Sequence, residues 1–171
     1  MTSDITIRRA MRTDLPRITE IYNYYVLDTP VTFDCDPYTP EQRTRWFEQF
    51  APTGRYRLLV AEKAASIVGY AGTTRFRPKA GYDTTVEMTI YLAPEAVGLG
   101  LGSKLYSALF KEVHGEDIHR FMAGYALPNP ATEALHRKFG FTVAGIFKEN
   151  GRKFGKYWDV CWSERPGNQN T

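Results

Sequence analysis

The sequence predicts an α/β protein built on one mixed sheet of about seven strands with helices on both faces. Three observations carry this. Thr85 to Leu92 alternates, with Val86, Met88 and Ile90 on one side and Glu87, Thr89 and Tyr91 on the other, the period of an extended strand. Ile18, Ile21, Tyr22 and Tyr25 recur at helical spacing and give one apolar face. Segments of the two kinds follow each other as β α α β β β α β α β β, and a sheet between helices buries the apolar stripes of both.

Taken in order, Ile5, Ile7 and Arg9 open a short strand. Thr13-Asp14-Leu15-Pro16 starts the first helix, with an oxygen-bearing cap and proline in the first turn, and Asp28-Thr29-Pro30 ends it. Thr39-Pro40-Glu41-Gln42 reads as a capping box opening a second helix through about Phe50, which Pro52-Thr53-Gly54 breaks. Arg57 to Glu62 and Ile67 to Gly72 form a hairpin about a polar turn near Lys63 to Ser66. A loop from Pro78 to Asp83 leads into the strand Thr85 to Leu92. After a glycine-bearing turn, Leu101, Leu105, Ala108, Leu109 and Val113 mark the apolar side of a helix. Arg120 to Ala126 is a strand, Pro128-Asn129-Pro130 starts a helix through Lys138, and Gly140 terminates it. Phe141 to Glu149 and about Phe154 to Trp162 are the last strands.

The 171 residues suit one core, read as a single domain over residues 1–165 with a frayed tail from Pro166 to Thr171. A net charge of +3, scattered along the chain, is too small to argue by itself for a nucleic-acid partner, and none is expected. Cys35 and Cys161 stand far apart and read as free thiols, and the three histidines show no paired spacing, so no metal site is expected. Met1-Thr2-Ser3-Asp4 lacks the basic and apolar regions of a signal peptide, and no apolar run is long enough to span a bilayer. A cytoplasmic protein with no membrane partner is expected.

The chemistry-bearing segment is Val97-Gly98-Leu99-Gly100-Leu101-Gly102-Ser103, between a strand and a helix. Such a turn aims backbone N–H groups at one spot beside the positive end of the helix, and glycines let an anion approach the backbone. A dinucleotide fold wants Gly-x-Gly-x-x-Gly and an acidic residue ending the next strand; here the glycines run Gly-x-Gly-x-Gly, and Glu116 and Asp117 precede that strand. A P-loop wants Gly-Lys-Ser/Thr, and Gly102-Ser103-Lys104 has another order. A flexible turn without a ligand is the remaining alternative to a phosphate or pyrophosphate site.

These residues resemble the GNAT superfamily of acyl-CoA N-acyltransferases. Gly100 and Gly102 fill the glycine positions of its Gln/Arg-x-x-Gly-x-Gly/Ala loop, with Val97 a departure where Gln or Arg is usual. Asn129, followed by Ala134 to Phe141 with its Phe-Gly-Phe ending, matches the family's other signature. Four segments are similar to the phosphinothricin and methionine sulfone/sulfoximine acetyltransferase branch: Ile21 to Tyr25 with Val31-Thr32-Phe33, Thr85 to Leu92, Leu99 to Tyr106, and Lys153 to Val160. The resemblance spans about Ile5 to Trp162 and implies a mostly antiparallel GNAT-like sheet, acetyl-CoA as co-substrate, a small amino-acid-like amine acceptor and a homodimer joined near the C-terminal strands.

It also implies roles. Ile90, Tyr91 and Leu92 would line the pantetheine and thioester, Val97, Gly98, Leu99, Gly100, Leu101 and Gly102 would hold the pyrophosphate, and Asn129 would contact the CoA arm, its side chain left free by the flanking prolines. Phe76, Arg77 and Pro78 resemble the substrate loop, and Glu87, Met88 and Thr89 the acceptor wall. Acetyl transfer needs a neutral amine, and Glu87 is the candidate base, directly or through a water; its alternative is a solvated strand residue. Amides near Tyr91 or Leu92 would stabilise the thioester oxygen if the strand bulges there. His136 stands where many family members carry Tyr, and is either an acid titrating near neutrality or a partly exposed helix residue. Arg75, Arg77 and Lys79 either hold the acceptor's acidic end or are solvated, and Tyr25, Phe33 and Tyr82 either wall a side-chain pocket or belong to the core. Two further readings stay beside this one: a protein or peptide N-acetyltransferase, and a CoA-binding sensor without turnover.

Overall fold

The computed structural model describes residues 5–167. Its strands are β1 (Ile5–Arg9), β2 (Leu58–Lys63), β3 (Ser66–Arg75), β4 (Thr85–Leu92), β5 (Arg120–Ala126), β6 (Thr142–Lys153) and β7 (Lys156–Pro166). Its helices are α1 (Leu15–Asp28), α2 (Thr44–Phe47), α3 (Leu101–Glu112) and α4 (Pro130–Lys138). The strands form one sheet in the order β1-β2-β3-β4-β5-β7-β6, and every neighbouring pair is antiparallel except β4 and β5. This is the mixed, mostly antiparallel sheet that the sequence predicts.

Alternation along β4 decides which layer covers which face. Tyr91 pairs with Tyr70 of β3, and both rings meet the α1–α2 layer, Tyr91 against Tyr22 and Tyr70 against Trp46. On the opposite face, Ile90 lies beside Gly102 of α3. The core joins Ile18 and Ile21 of α1, Leu58 to Ala61 of β2, Val86 and Met88 of β4, Leu101, Leu105 and Leu109 of α3, and Phe121 and Ala123 of β5.

Four local expectations are corrected. Asp14 stands at the start of α1, yet its carboxylate turns back to accept from Met11 N at 2.7 Å and from the Arg8 guanidinium at 2.7 and 3.0 Å. The second helix is much shorter than Thr39 to Phe50. The box forms, with Thr39 N donating to Gln42 Oε1 at 2.7 Å, but Arg43 N then reaches both Thr39 O and Pro40 O, and Thr44 N reaches Glu41 O. Thr44, Trp46 and Phe47 are weak helix formers, and the aromatic side chains are drawn onto the sheet. Near the C-terminus, β6 continues past Glu149 through a bulge to Lys153, and Phe154-Gly155, with φ of 52° and 71°, makes the turn. Two successive positive φ values are what a two-residue hairpin turn requires. Asn150-Gly151, which looks like a turn, instead lies under the Phe33 ring, where a Cβ would stand. Finally, Pro166 pairs with Arg120 and Gly167 N donates to His119 O at 2.8 Å, so the expected tail begins inside β7; residues 168–171 lie outside the described residues.

β6 is exposed along most of its length, including Val143, Ile146 and Phe147. Cys35 is exposed and Cys161 buried, both free thiols. Among the described residues no helix is long and apolar enough to cross a membrane, and no group of three or more His, Cys, Asp or Glu is placed to hold a metal ion.

Candidate active site

The site is made by a fork in the sheet. β4 and β5 pair only over Thr85–Glu87 with Arg120–Met122, then part. Ala93 N donates to Val68 O at 2.9 Å, which turns the N–H of every second residue toward β3. The N–H groups of Ile90 and Leu92 therefore face the fork, past the last rung of the β4–β5 ladder. The β3–β4 register is unbroken from Gly69↔Leu92 to Arg75↔Val86, so the expected bulge at Tyr91 or Leu92 is absent there, and the fork exposes these amides instead. The Tyr91 N–H belongs to the β3 side.

A cavity of about 300 Å³ spans the fork, from the α1–α2 side to Tyr106, Tyr125 and His136 on the far side. Glu87, Met88, Thr89, Ile90 and Tyr91 contribute one wall; Tyr22, Asp34, Arg43, Trp46 and Tyr70 contribute another. Glu87 is half-buried, and burial raises its carboxyl pKa while the Arg77 charge opposes the rise. It is thus a stronger base than a solvated carboxylate. The α1 wall is strapped by polar bonds that the Ile21 to Tyr25 and Val31 to Phe33 segments supply. Tyr22 Oη donates to Asp34 Oδ2 at 2.5 Å, and Asn23 exchanges hydrogen bonds with the Tyr38 backbone at 2.8 and 2.9 Å. Lys153, only 5% exposed, donates from Nζ to Thr32 O at 2.7 Å and to Tyr25 O at 3.3 Å, fixing the β6–β7 hairpin to the same loop.

Through the fork, on the α3–α4 side, runs a groove of about 690 Å³ lined by Ile90, Leu92, Val97, Gly98, Gly100, Leu101, Gly102, Leu135 and Lys138, among others. Cavity and groove share Val31, Ile90, Asn129 and Thr132, so they form one passage. Gly98 and Gly100 hold φ of 83° and 72°, and a Cβ built on either meets nothing within 4 Å. The turn is a cradle of exposed backbone at the start of α3, the arrangement that receives a phosphate or diphosphate. Lys138 adds a cation, its Nζ donating to Ser103 Oγ at 2.9 Å.

Several predicted site residues take other places. Leu99 is 49% exposed and lies outside the groove lining. Tyr91 turns its ring into the acceptor cavity rather than the groove. Asn129 does reach the passage, yet its Oδ1 is not free: it accepts from Thr132 N at 3.1 Å and caps α4. Phe76, Arg77 and Pro78 line neither space; Arg77 is exposed over the Phe76 ring, its charge acting on Glu87. Arg75 pairs with Asp83 at 3.0 Å, Tyr82 packs on Phe76 in an exposed loop, and Phe33 covers Gly151, so none walls the cavity; Tyr25 lines the groove.

His136 is neither partly exposed nor titrating near neutrality. It is 4% exposed, stacked on Phe141, with Nδ1 2.9 Å from Ser163 Oγ and Nε2 3.3 Å from Tyr106 Oη. Burial pushes its pKa down to about 4, so at neutral pH it is uncharged and holds no readily released proton. Among the residues to which sequence reasoning gave no site role are Asp34, Arg43, Trp46 and Tyr70 in the cavity and Lys138 in the groove, which come together only through tertiary contacts.

Residues 7–162 match the Acetyltransferase (GNAT) domain family. The chain is 48% identical over 167 residues to a phosphinothricin N-acetyltransferase of Streptomyces coelicolor, covering 96% of this chain and 98% of that one. It is 36% identical over 160 residues to an L-methionine sulfoximine/L-methionine sulfone acetyltransferase of Salmonella typhimurium, covering 94% and 93%. Among solved structures, a GNAT superfamily phosphinothricin acetyltransferase from Sinorhizobium meliloti in complex with AcCoA superposes with a TM-score of 0.90 at 34% identity, covering 100% of this chain and 91% of that one.

Proposed function

The chain belongs to the GNAT acetyltransferase family and is an acetyl-CoA-dependent N-acetyltransferase, and we propose that its acceptor is the α-amino group of a small amino-acid-like molecule of the phosphinothricin, methionine sulfone or methionine sulfoximine type. One observation carries this reading: a half-buried carboxylate, Glu87, faces a cavity of about 300 Å³ that communicates through the fork with a glycine-lined groove. The cavity suits a small amine better than an extended peptide.

Bound acetyl-CoA supplies the acetyl thioester. The backbone about Gly98, Gly100 and Gly102, helped by Lys138, holds its diphosphate, and Ile90, Leu92 and Asn129 line the arm. Glu87 takes the proton from the acceptor ammonium, directly or through a water, and the neutral nitrogen attacks the thioester carbon. The N–H groups of Ile90 and Leu92 face the fork and donate to the thioester oxygen as it gains charge; collapse breaks the C–S bond, and the departing thiolate takes the second proton from the nitrogen, leaving the amide and free CoA. Arg77 lies outside the cavity lining, but its charge reaches Glu87 and favours the ionised base, and the same charge attracts the acceptor's α-carboxylate. Exposed apolar residues along β6 support a homodimer built on that strand.

Incubation with acetyl-CoA and a panel of phosphinothricin, methionine sulfone and methionine sulfoximine, following free thiol, tests the proposal. Release of CoA only with these acceptors is the expected result; no turnover with any of them sinks it.

A further inference from the structure

We infer that Arg43 and Tyr70 form a donor pair that recognises an oxygen-bearing terminus on the acceptor's side chain, a specificity element separate from the groups that handle the reacting amine. The inference rests on the small-amino-acid reading of the cavity and deepens it. Two buried side-chain polar atoms lack a hydrogen-bond partner among the described residues, Arg43 Nη1 and Tyr70 Oη, and both residues line this cavity. Arg43 Nη1 can only donate, and Tyr70 Oη has a hydrogen to donate. Leaving such groups unpaired in a buried site is costly, and an acceptor oxygen entering the cavity removes that cost.

The pair is held for recognition rather than for packing alone. Arg43 is 6% exposed, and its guanidinium carbon lies 3.9 Å from the Trp46 ring centre and 4.4 Å from that of Tyr22. Two aromatic faces fix the plane of the fork and leave its edge free for hydrogen bonding. No carboxylate pairs with Arg43 within 4.0 Å among the described residues, although Asp34 lines the same cavity and is taken by Tyr22 Oη. Tyr70 is fully buried on β3; burial pushes its pKa up to about 12, against the charge and close approach of the Arg43 guanidinium, so the two groups face the cavity side by side.

Position separates this pair from the α-carboxylate. A carboxylate on the amine-bearing carbon stays close to Glu87, where Arg77 is the cation whose charge is felt. The Arg43 charge acts on the hydroxyls of Tyr70 and Tyr91, and Tyr91 also feels the Glu87 charge, so the pair and the base share one cavity within the reach of a small amino acid. A phosphinate, sulfone or sulfoximine oxygen at the far end of a side chain fits there, and a thioether leaves both donors unpaired.

The test is a specificity ratio. kcat/KM is measured for methionine sulfone and for methionine, which differ only in the terminal oxygens, with wild type, Arg43→Gln and Tyr70→Phe. In wild type the sulfone is preferred; Arg43→Gln should lower that preference by roughly 10- to 100-fold, through KM rather than kcat, and Tyr70→Phe by roughly 3- to 10-fold. General damage to the fold cancels in the ratio. A wild type without preference, or a preference untouched by both variants, overturns the inference. Should wild type turn over neither acceptor, the functional reading has failed separately. Calorimetric titration with phosphinothricin then decides: binding to wild type that Arg43→Gln weakens sustains the pair, and equal or absent binding overturns it.

Discussion

Gly100 and Gly140 offer a matched pair that separates backbone strain from cofactor binding. Both hold left-handed conformations, φ of 72° and 75°, and a Cβ added to either meets nothing within 4 Å. Alanine at each position therefore costs conformation and not collision. The left-handed region costs a β-carbon residue about 1–2 kcal/mol, and the loss of glycine's freedom in the unfolded chain returns about 0.4–1 kcal/mol. The net, about 1 kcal/mol, lowers Tm by roughly 2–4 °C in a domain of this size. Gly140→Ala and Gly100→Ala should thus lose the same stability. They should differ in acetyl-CoA affinity, because Gly100 lines the groove and Gly140, beyond the end of α4, does not. A Cβ on Gly100 projects into the space assigned to the diphosphate, and losing one hydrogen bond to a charged group weakens binding roughly 10- to 100-fold. Isothermal calorimetry of acetyl-CoA binding, beside thermal melts, gives both numbers. Equal affinities in the two variants would show that the diphosphate lies elsewhere and would refute the cradle.

Glu87→Gln should lower kcat/KM by about 10²–10⁴ while leaving acetyl-CoA affinity unchanged; full activity would remove Glu87 from the base role. Because burial raises the Glu87 pKa, kcat/KM should rise with pH through a midpoint above the ordinary carboxylate range, and Arg77→Gln should move that midpoint higher, since the lost cation favours the ionised base; a downward move contradicts the assignment. His136, with its folded pKa lowered from 6.5 to about 4, contributes stability that is complete above its ordinary pKa and is lost as pH falls toward 4. The loss amounts to roughly 3 kcal/mol. Denaturant titrations of His136→Gln should show a flatter stability profile across that window; an unchanged slope would place the proton elsewhere. Sedimentation should give a dimer for wild type and a monomer for Phe147→Asp, a residue 53% exposed on β6; a wild-type monomer ends the dimer proposal.

What could be read in advance was local chemistry. Thr85 to Leu92 alternates because Val86 and Met88 enter the core while Glu87, Thr89 and Tyr91 face the cavity, and the glycines at 98, 100 and 102 announce a turn of exposed backbone wherever the chain folds. Glu87 was legible because a carboxylate in a strand flanked by apolar residues must either be solvated or be used. What stayed hidden depends on neighbours remote in sequence. Arg43 sits in a polar capping segment and looks solvated, until Tyr22 and Trp46 close on it. His136 sits beside Arg137 and Lys138 and looks exposed, but the α4 face it occupies turns onto Phe141 and Tyr106. The end of β6 was hidden likewise: Gly151 packs under the Phe33 ring, a contact remote in sequence, and the turn falls at Phe154-Gly155.

The fork explains why donors gather where they do. Backbone N–H and C=O groups at a parted strand both lose partners, and a buried segment leaves few of either unsatisfied. Here the two kinds are treated differently. The Leu92 carbonyl at the fork is covered, accepting from Tyr25 Oη at 2.6 Å, while the Ile90 and Leu92 N–H groups lie beyond the last β4–β5 rung. The same bias recurs in the cavity, where the unpartnered groups are the Arg43 and Tyr70 donors, and in the groove, where Lys138 stands by the glycine turn. At these three places the site offers donors, which is complementary to oxygen-bearing ligands. Asp34 and Glu87 are the carboxylates of the cavity lining; Asp34 is taken by Tyr22 Oη, which on the proposed reading leaves Glu87 to receive the acceptor's ammonium proton.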